Sequence, residues 1–232
     1  MPDYFALIPA AGSSTRMAAA MPKQYLPLLG KPMLYHSISR LCQHPAIRRC
    51  YVVLAPEDEL FGRYDWSEFA DKLAPLYCGA ETRAGSVLNG LTAAQHEIGD
   101  SDWILVHDGA RPCLGKDQLD KLINELAADK VGGLLAMPVS DTVKRADTEA
   151  RVLQTERRES LWLAQTPQMF RYKMLLEALQ SVNATVATDE ARAIESLGFN
   201  PKLVVGESLN LKVTYAQDLA LAELILRARE SQ

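Results

Sequence analysis

Cysteine and histidine are scarce in this chain of 232 residues, at four of each, and no two cysteines show CxxC spacing. A zinc cluster needs closely spaced thiolate and imidazole ligands, so none is expected. Cys42, Cys50, Cys78 and Cys113 instead read as reduced, mostly buried thiols of a cytoplasmic protein. No run reaches the roughly 18 apolar residues of a membrane-spanning helix. The opening "MPDYFALIPA" has no basic n-region and reads as no signal peptide. A basic surplus is also missing: 25 Lys and Arg stand against 29 Asp and Glu, a formal net charge of -4. That argues against a nucleic-acid scaffold and leaves room for local basic pockets. GxGxxG and GxxxxGK[ST] are absent, which excludes a dinucleotide fingerprint and a P-loop. There is no Ser-His-Asp series, no internal repeat and no low-complexity segment.

Hydrophobic residues make up 48% of the chain, ample for a core. The all-apolar run at 4–10 predicts a strand covered on both faces, and 47–55, 131–139 and 201–207 read as further strands. The segment 102–112 starts as a strand and ends in small, polar and proline residues. Helical periodicity covers 32–44, 83–98, 116–129 and 214–230. Met33, Leu34, Ile38 and Leu41 share one side of the first, and Pro32 suits its first turn. Lys212 falls in an apolar stretch, "LNLKVT", that reads as a further strand. Strands alternating with helices predict an α/β fold with a mostly parallel sheet. The polar, densely charged segment 140–160 breaks the rhythm. Its alternation in "TVKR" and "RVLQTERR" fits either a two-stranded arm around "ADTEA" or a solvated insertion loop. A lone hairpin is marginal in water and needs another surface to lean on.

Ligands of open α/β sheets bind beyond the carboxyl ends of the strands, where "PAAGSSTRM" lies. Ala10 and Ala11 add no bulk, and Gly12 tolerates dihedrals closed to other residues. The backbone there can approach a phosphate, with Ser13, Ser14 and Thr15 as extra donors. Arg16 offers a planar fork and Lys23 a point charge. At another strand end, "VHDGARP" supplies Asp108 as the natural magnesium ligand. Arg111 reads as a partner of Asp108 or of an anionic substrate. His107 reads as a satisfied histidine supporting the turn. Further polar residues follow in "DTVKR", "LWLAQTPQMF", "ATDEA" and "LKVT"; among them Lys212 is a candidate for a phosphate. Cations, one carboxylate and a small-residue cradle favour transfer on an activated phosphate. The substrate's own phosphate attacks the α-phosphorus of a nucleoside triphosphate, and pyrophosphate leaves.

Taken together, "PAAGSSTRM", "PKQYLPLLGKPML", "ETRAGSV", "VHDGARP", "DTVKR", "LWLAQTPQMF", "ATDEA" and "LKVT" resemble the 2-C-methyl-D-erythritol 4-phosphate cytidylyltransferases, in order and spacing along essentially the whole chain. The resemblance implies a single Rossmann-like nucleotidyltransferase domain over 1–232, with 138–160 as a protruding β-arm that dimerises. It implies CTP and 2-C-methyl-D-erythritol 4-phosphate as substrates, Mg2+ as cofactor and a cytoplasmic homodimer. Carried over by position, Arg16, Lys23 and Lys212 are catalytic. Ala10, Ala11, Gly12, Ser13, Gly79, Ala80, Glu81 and Ser86 hold the nucleotide. Asp108, Arg111, Thr142, Arg158 and Thr166 surround the polyol phosphate, with Asp108 also near the metal. Thr142 and Arg158 are expected from the neighbouring subunit's arm. This chain departs from the family pattern at Ser14, at "ETR" (81–83) and at Gly109. The alternatives are a cytidylyltransferase for another polyol phosphate, such as ribitol 5-phosphate, and a nucleotide-binding module without turnover.

Overall fold

The computed structural model describes residues 2–12, 21–181 and 187–230. Its frame is a seven-stranded sheet built from β1 (Tyr4–Pro9), β4 (Ile47–Val53), β5 (Leu73–Leu76), β6 (Trp103–Val106), β7 (Gly132–Pro138), β10 (Trp162–Arg171) and β11 (Lys202–Val205). The strand order is β11-β7-β10-β6-β1-β4-β5. Neighbours run parallel except at β10, which is antiparallel to both β6 and β7. Around the sheet lie α1 (Met33–Cys42), α2 (Arg83–Ala93), α3 (Lys116–Leu126), α4 (Tyr172–Ser181), α5 (Glu190–Ser196) and α6 (Ala216–Glu230). Two short strands, β2 (Pro27–Leu28) and β3 (Lys31–Pro32), pair ahead of α1.

The uninterrupted apolar character of β1 follows from two-sided burial. Ala6 and Ile8 join one core cluster with Leu34, Ile38 and Leu41 of α1 and Leu119, Leu122 and Leu126 of α3. Phe5 and Leu7, on the other face, join Val87 and Leu91 of α2, Leu175 of α4 and Ile194 of α5. β6 divides in the same way, with Trp103 and Leu105 on one side and Ile104 and Val106 on the other. Period-2 alternation is therefore hidden in the sequence, because both faces need apolar side chains. A third cluster packs Val213, Ala222 and Ile225 onto Leu28, Met33, Ala110 and Cys113. It seats α6 against the turn that follows β6, and so brings the Lys212 loop to the strand ends.

The predicted helices at 32–44, 116–129 and 214–230 form with slightly shorter bounds, and Pro32 takes the N-cap of α1. The helix predicted over 83–98 ends at Ala93. The strand expected around Lys212 does not form: residues 211–214 are irregular. Their backbone is fastened by Val213 N–H to the Ala110 carbonyl at 2.8 Å instead of by a sheet ladder. The segment 140–160 contains the hairpin that its alternation suggested, β8 (Val143–Ala146) antiparallel to β9 (Val152–Glu156). Asp147 closes its turn by accepting from the N–H groups of Glu149 and Arg151. Val152 and Leu153 on this arm are 62% and 63% exposed, an apolar surface that the chain itself does not cover. The cysteines are free, and Cys42 and Cys50 are buried neighbours. Among the described residues no helix is long and apolar enough to cross a membrane.

Candidate active site

Three strand ends converge on one pocket. β1 delivers Ala10, Ala11 and Gly12; the chain beyond β5 delivers Ala80, Glu81, Thr82 and Arg83; β6 delivers Asp108, Gly109 and Ala110. Lys23, Gln24 and Lys212 complete the wall of a cavity of about 270 Å³. Each part is fixed by a specific bond. Ala10 N–H donates to the Val53 carbonyl and Gly79 N–H to that of Leu54, both at 2.8 Å. Gln24 Nε2, buried, donates to the Ala10 carbonyl at 2.8 Å, which ties the Lys23 turn to the small-residue loop. Gly79 is required where it stands, because a Cβ there would overlap the Ala11 methyl and lie 2.8 Å from the Leu54 carbonyl oxygen.

The loop that precedes α2 is held from within. Thr82 caps the helix by accepting from Gly85 N–H at 3.0 Å. The Ser86 hydroxyl, buried, accepts from Ala80 N–H at 3.0 Å and lies within hydrogen-bond range of the Thr82 and Ala80 carbonyls. Ser86 thus shapes the loop 79–82 while lining the pocket.

Asp108 is the electrostatic centre. Its Oδ1 accepts from Arg83 Nε at 2.9 Å, its Oδ2 lies 2.7 Å from Lys212 Nζ, and Arg111 Nε stands at 3.9 Å. Burial by itself would raise the carboxyl; Arg83, Lys212 and Arg111 more than offset that and hold it well below the usual carboxylate range. The other end of Arg83 makes a two-pronged pair with Glu190, Nη1 to Oε1 at 2.6 Å and Nη2 to Oε2 at 3.1 Å. Burial pushes the Glu190 carboxyl up, with Arg83 opposing.

His107 explains the backbone setting of Asp108. Its Nε2 faces the Arg111 carbonyl at 3.1 Å, and a carbonyl only accepts, so Nε2 carries the proton. Nδ1 then accepts from the Thr166 hydroxyl at 2.9 Å, and that oxygen accepts from Asp108 N–H at 3.0 Å. Burial pushes the imidazole down to about 4, so it is neutral near pH 7. This is the satisfied, turn-supporting histidine that the sequence suggested.

The structure gathers Ala10, Ala11, Gly12, Lys23, Ala80, Glu81, Ser86, Asp108 and Lys212 around one cavity, and sets Gly79 just behind it. Arg16 and Ser13 lie outside the described residues. Thr166 is buried and spent on His107 and Asp108. Arg111 donates to the carbonyls of Asn210 at 2.7 Å and Ala164 at 3.3 Å, fastening the Lys212 loop to β10. Thr142 and Arg158 are exposed on the arm and do not line this chain's cavity; Arg158 Nη1 donates to the Ser140 carbonyl. Sequence reasoning missed Arg83 and Glu190 as a pair. Nothing local joins residues that are 107 positions apart, and the only signal was an arginine beside the cap of α2.

A pocket rich in cations around one ionised aspartate, at the carboxyl ends of a mostly parallel sheet, places the protein among the Rossmann-like nucleotidyltransferases. A solved 4-diphosphocytidyl-2C-methyl-D-erythritol synthase superposes with a TM-score of 0.86 at 37% identity, over 97% of this chain and 99% of that one. The Francisella tularensis 2-C-methyl-D-erythritol 4-phosphate cytidylyltransferase gives 0.81 at 33% identity, over 96% and 99%. Curated cytidylyltransferases of that name from Nitrosospira multiformis and Dechloromonas aromatica are 60% and 58% identical, over 98% and 99% of this chain and 99% and 100% of their own lengths. The family profile of IspD, 2-C-methyl-D-erythritol 4-phosphate cytidylyltransferase, matches residues 4–228. The chain belongs to this family and is an enzyme of its class.

Proposed function

We infer that this pocket transfers the cytidylyl group of CTP to 2-C-methyl-D-erythritol 4-phosphate, giving 4-(cytidine 5'-diphospho)-2-C-methyl-D-erythritol and pyrophosphate. The observation that carries the reading is Asp108, ionised between Arg83 and Lys212 on a wall that also holds Lys23. The substrate's phosphate oxygen attacks the α-phosphorus in line; the bond from that phosphorus to the bridging oxygen breaks, and pyrophosphate departs. A phosphate dianion needs no protein base to attack. The protein's work is to bring two polyanions together and to meet charge on the five-coordinate phosphorus. Arg16 and Lys23 hold the triphosphate and stabilise that charge. Lys212, whose head is part exposed beside Asp108, orients the attacking phosphate. The loop 79–86 takes the cytosine, with Ala10, Ala11, Gly12 and Ser13 along the phosphates.

Magnesium fits this donor set. Among the described residues no group of three His, Cys, Asp or Glu could cage a metal. An ion shared with phosphate oxygens and water needs only one or two carboxylates. Asp108 lines the pocket, and each of its oxygens keeps lone-pair capacity beyond Arg83 and Lys212. When bound, the ion offsets the repulsion between the two phosphates.

The arm over 138–160 serves a second copy of the chain in this reading. Its exposed apolar residues and its Arg158 and Thr142, which do not line this chain's own pocket, support a homodimer in which each nucleotidyltransferase unit, 1–232, borrows the partner's arm. The test is incubation of the pure protein with CTP, magnesium and a panel of polyol phosphates while pyrophosphate is measured. Release confined to 2-C-methyl-D-erythritol 4-phosphate is expected. Equal release with ribitol 5-phosphate, or none with any, would contradict the assignment.

A further inference from the structure

We propose that Glu190, in the first turn of α5, is a positioning residue of this reaction: it locks the Arg83 guanidinium in the orientation that presents Asp108 to the pocket. The proposal rests on the role given to Asp108 above. Arg83 reaches Asp108 only through Nε, and both its terminal nitrogens are engaged by Glu190. An arginine on the wall of a polyphosphate pocket would otherwise turn its planar fork onto the phosphates. A buried, two-pronged carboxylate prevents that.

The lock is anchored from the sheet. Asp189 caps α5 through Arg192 N–H at 2.9 Å, and its other oxygen accepts from Gln168 Nε2 at 2.9 Å. Gln168 Oε1 in turn accepts from Ala191 N–H at 2.8 Å. The hydrogen bonds of Gln168 thus fix the first turn of α5 on β10, and Glu190, between Asp189 and Ala191 in that turn, carries the anchorage on to Arg83 and Asp108. Oδ1 of Asp108 accepts from Arg83, whereas Oδ2 faces Lys212, whose side chain is 41% exposed. The Glu190 side chain is only 1% exposed. A buried ion pair is a poor means of gaining stability, since apolar residues of the same shape do as well. Its place one bond behind the pocket carboxylate gives it a functional reason.

The test compares Glu190→Gln, Arg83→Gln, the double variant and Asp108→Asn by steady-state kinetics, with thermal unfolding of each. In Glu190→Gln, kcat/KM for the polyol phosphate is expected to fall about tenfold or more while the KM for CTP stays within about twofold, the size of effect seen when a supporting hydrogen-bond partner is removed. Because Glu190 acts through Arg83, adding Glu190→Gln to Arg83→Gln is expected to change nothing further. If Glu190→Gln fails to fold, the double variant, which removes both charges, is compared with Arg83→Gln alone, and equal activity supports the proposal. A folded Glu190→Gln with wild-type kinetics, or a loss that multiplies on that of Arg83→Gln, would overturn it. A fully active Asp108→Asn would instead overturn the reading of Asp108 on which it rests.

Discussion

Lys212 reaches Asp108 from an irregular loop whose position is set by its neighbours. Arg111 binds the Asn210 carbonyl, Asn210 Nδ2 donates to the Thr166 carbonyl at 2.8 Å, and Val213 is tied to Ala110. An ammonium fixed in this way costs little reorganisation when charge grows beside it. Lys212→Ala and Lys23→Ala are each expected to lower kcat by roughly 10²-fold or more, measured as pyrophosphate release at saturating substrates. A wild-type kcat with only a raised KM for the polyol phosphate would remove the residue from the chemical step. A second residue gives a pH test away from the pocket. Burial pushes the Cys113 thiol up to about 11, with Arg229 opposing. The fold therefore favours the neutral thiol: its contribution is complete below the ordinary value of 9.0 and is lost as pH rises through about 11. Between about pH 8 and pH 10.5 the wild type is expected to lose roughly 2 kcal/mol through this group, a loss that Cys113→Ala lacks. Urea unfolding of both proteins across that range measures it, and identical slopes would refute it.

At the scale of elements, the start of α2 and the loop before it form the pocket wall proposed above to take the cytosine. Gly79 is pressed against Ala11 and Leu54, and Ser86 and Thr82 brace the loop from inside, so the wall is preformed. In that proposal a small rigid wall excludes purines by size, and buried hydrogen-bonding partners tell the amino group of cytosine from the carbonyl of uracil. CTP is expected to exceed UTP and ATP in kcat/KM by at least about tenfold. Comparable efficiencies measured side by side would contradict that role. The elements differ in how legible they were. β1, β6 and β7 were readable because two-sided burial demands unbroken apolar runs, and β4 because an apolar run at 50–53 follows its two arginines. β10 was not, because Gln165, Pro167 and Gln168 interrupt its run, and the polar pair is buried on side-chain bonds invisible in sequence. The strand expected around Lys212 looked apolar because Leu211 and Val213 pack against α6, not because they pair in a sheet. The Arg83–Glu190 pair was illegible for another reason: it links segments that only the folded sheet brings together.

At the scale of the whole molecule, the pocket of one chain holds Lys23, Asp108 and Lys212 but not Arg158 or Thr142. The arm that bears those two residues leaves Val152 and Leu153 largely in solvent. A two-fold dimer would cover these apolar residues and give each pocket its missing guanidinium at once. The other arm charges, such as Arg145 paired with Glu156, need only be rim interactions worth little individually. The central claim, that one reaction centre draws its cations from two chains, is tested by mixing Lys23→Ala and Arg158→Ala proteins, each nearly inactive, under conditions of subunit exchange. A heterodimer then has one site with both lesions and one intact site, so an equal mixture is expected to recover roughly a quarter of wild-type activity. Exchange confirmed by native mass measurement with no recovered activity, or sedimentation of the active enzyme as a monomer, would contradict the account.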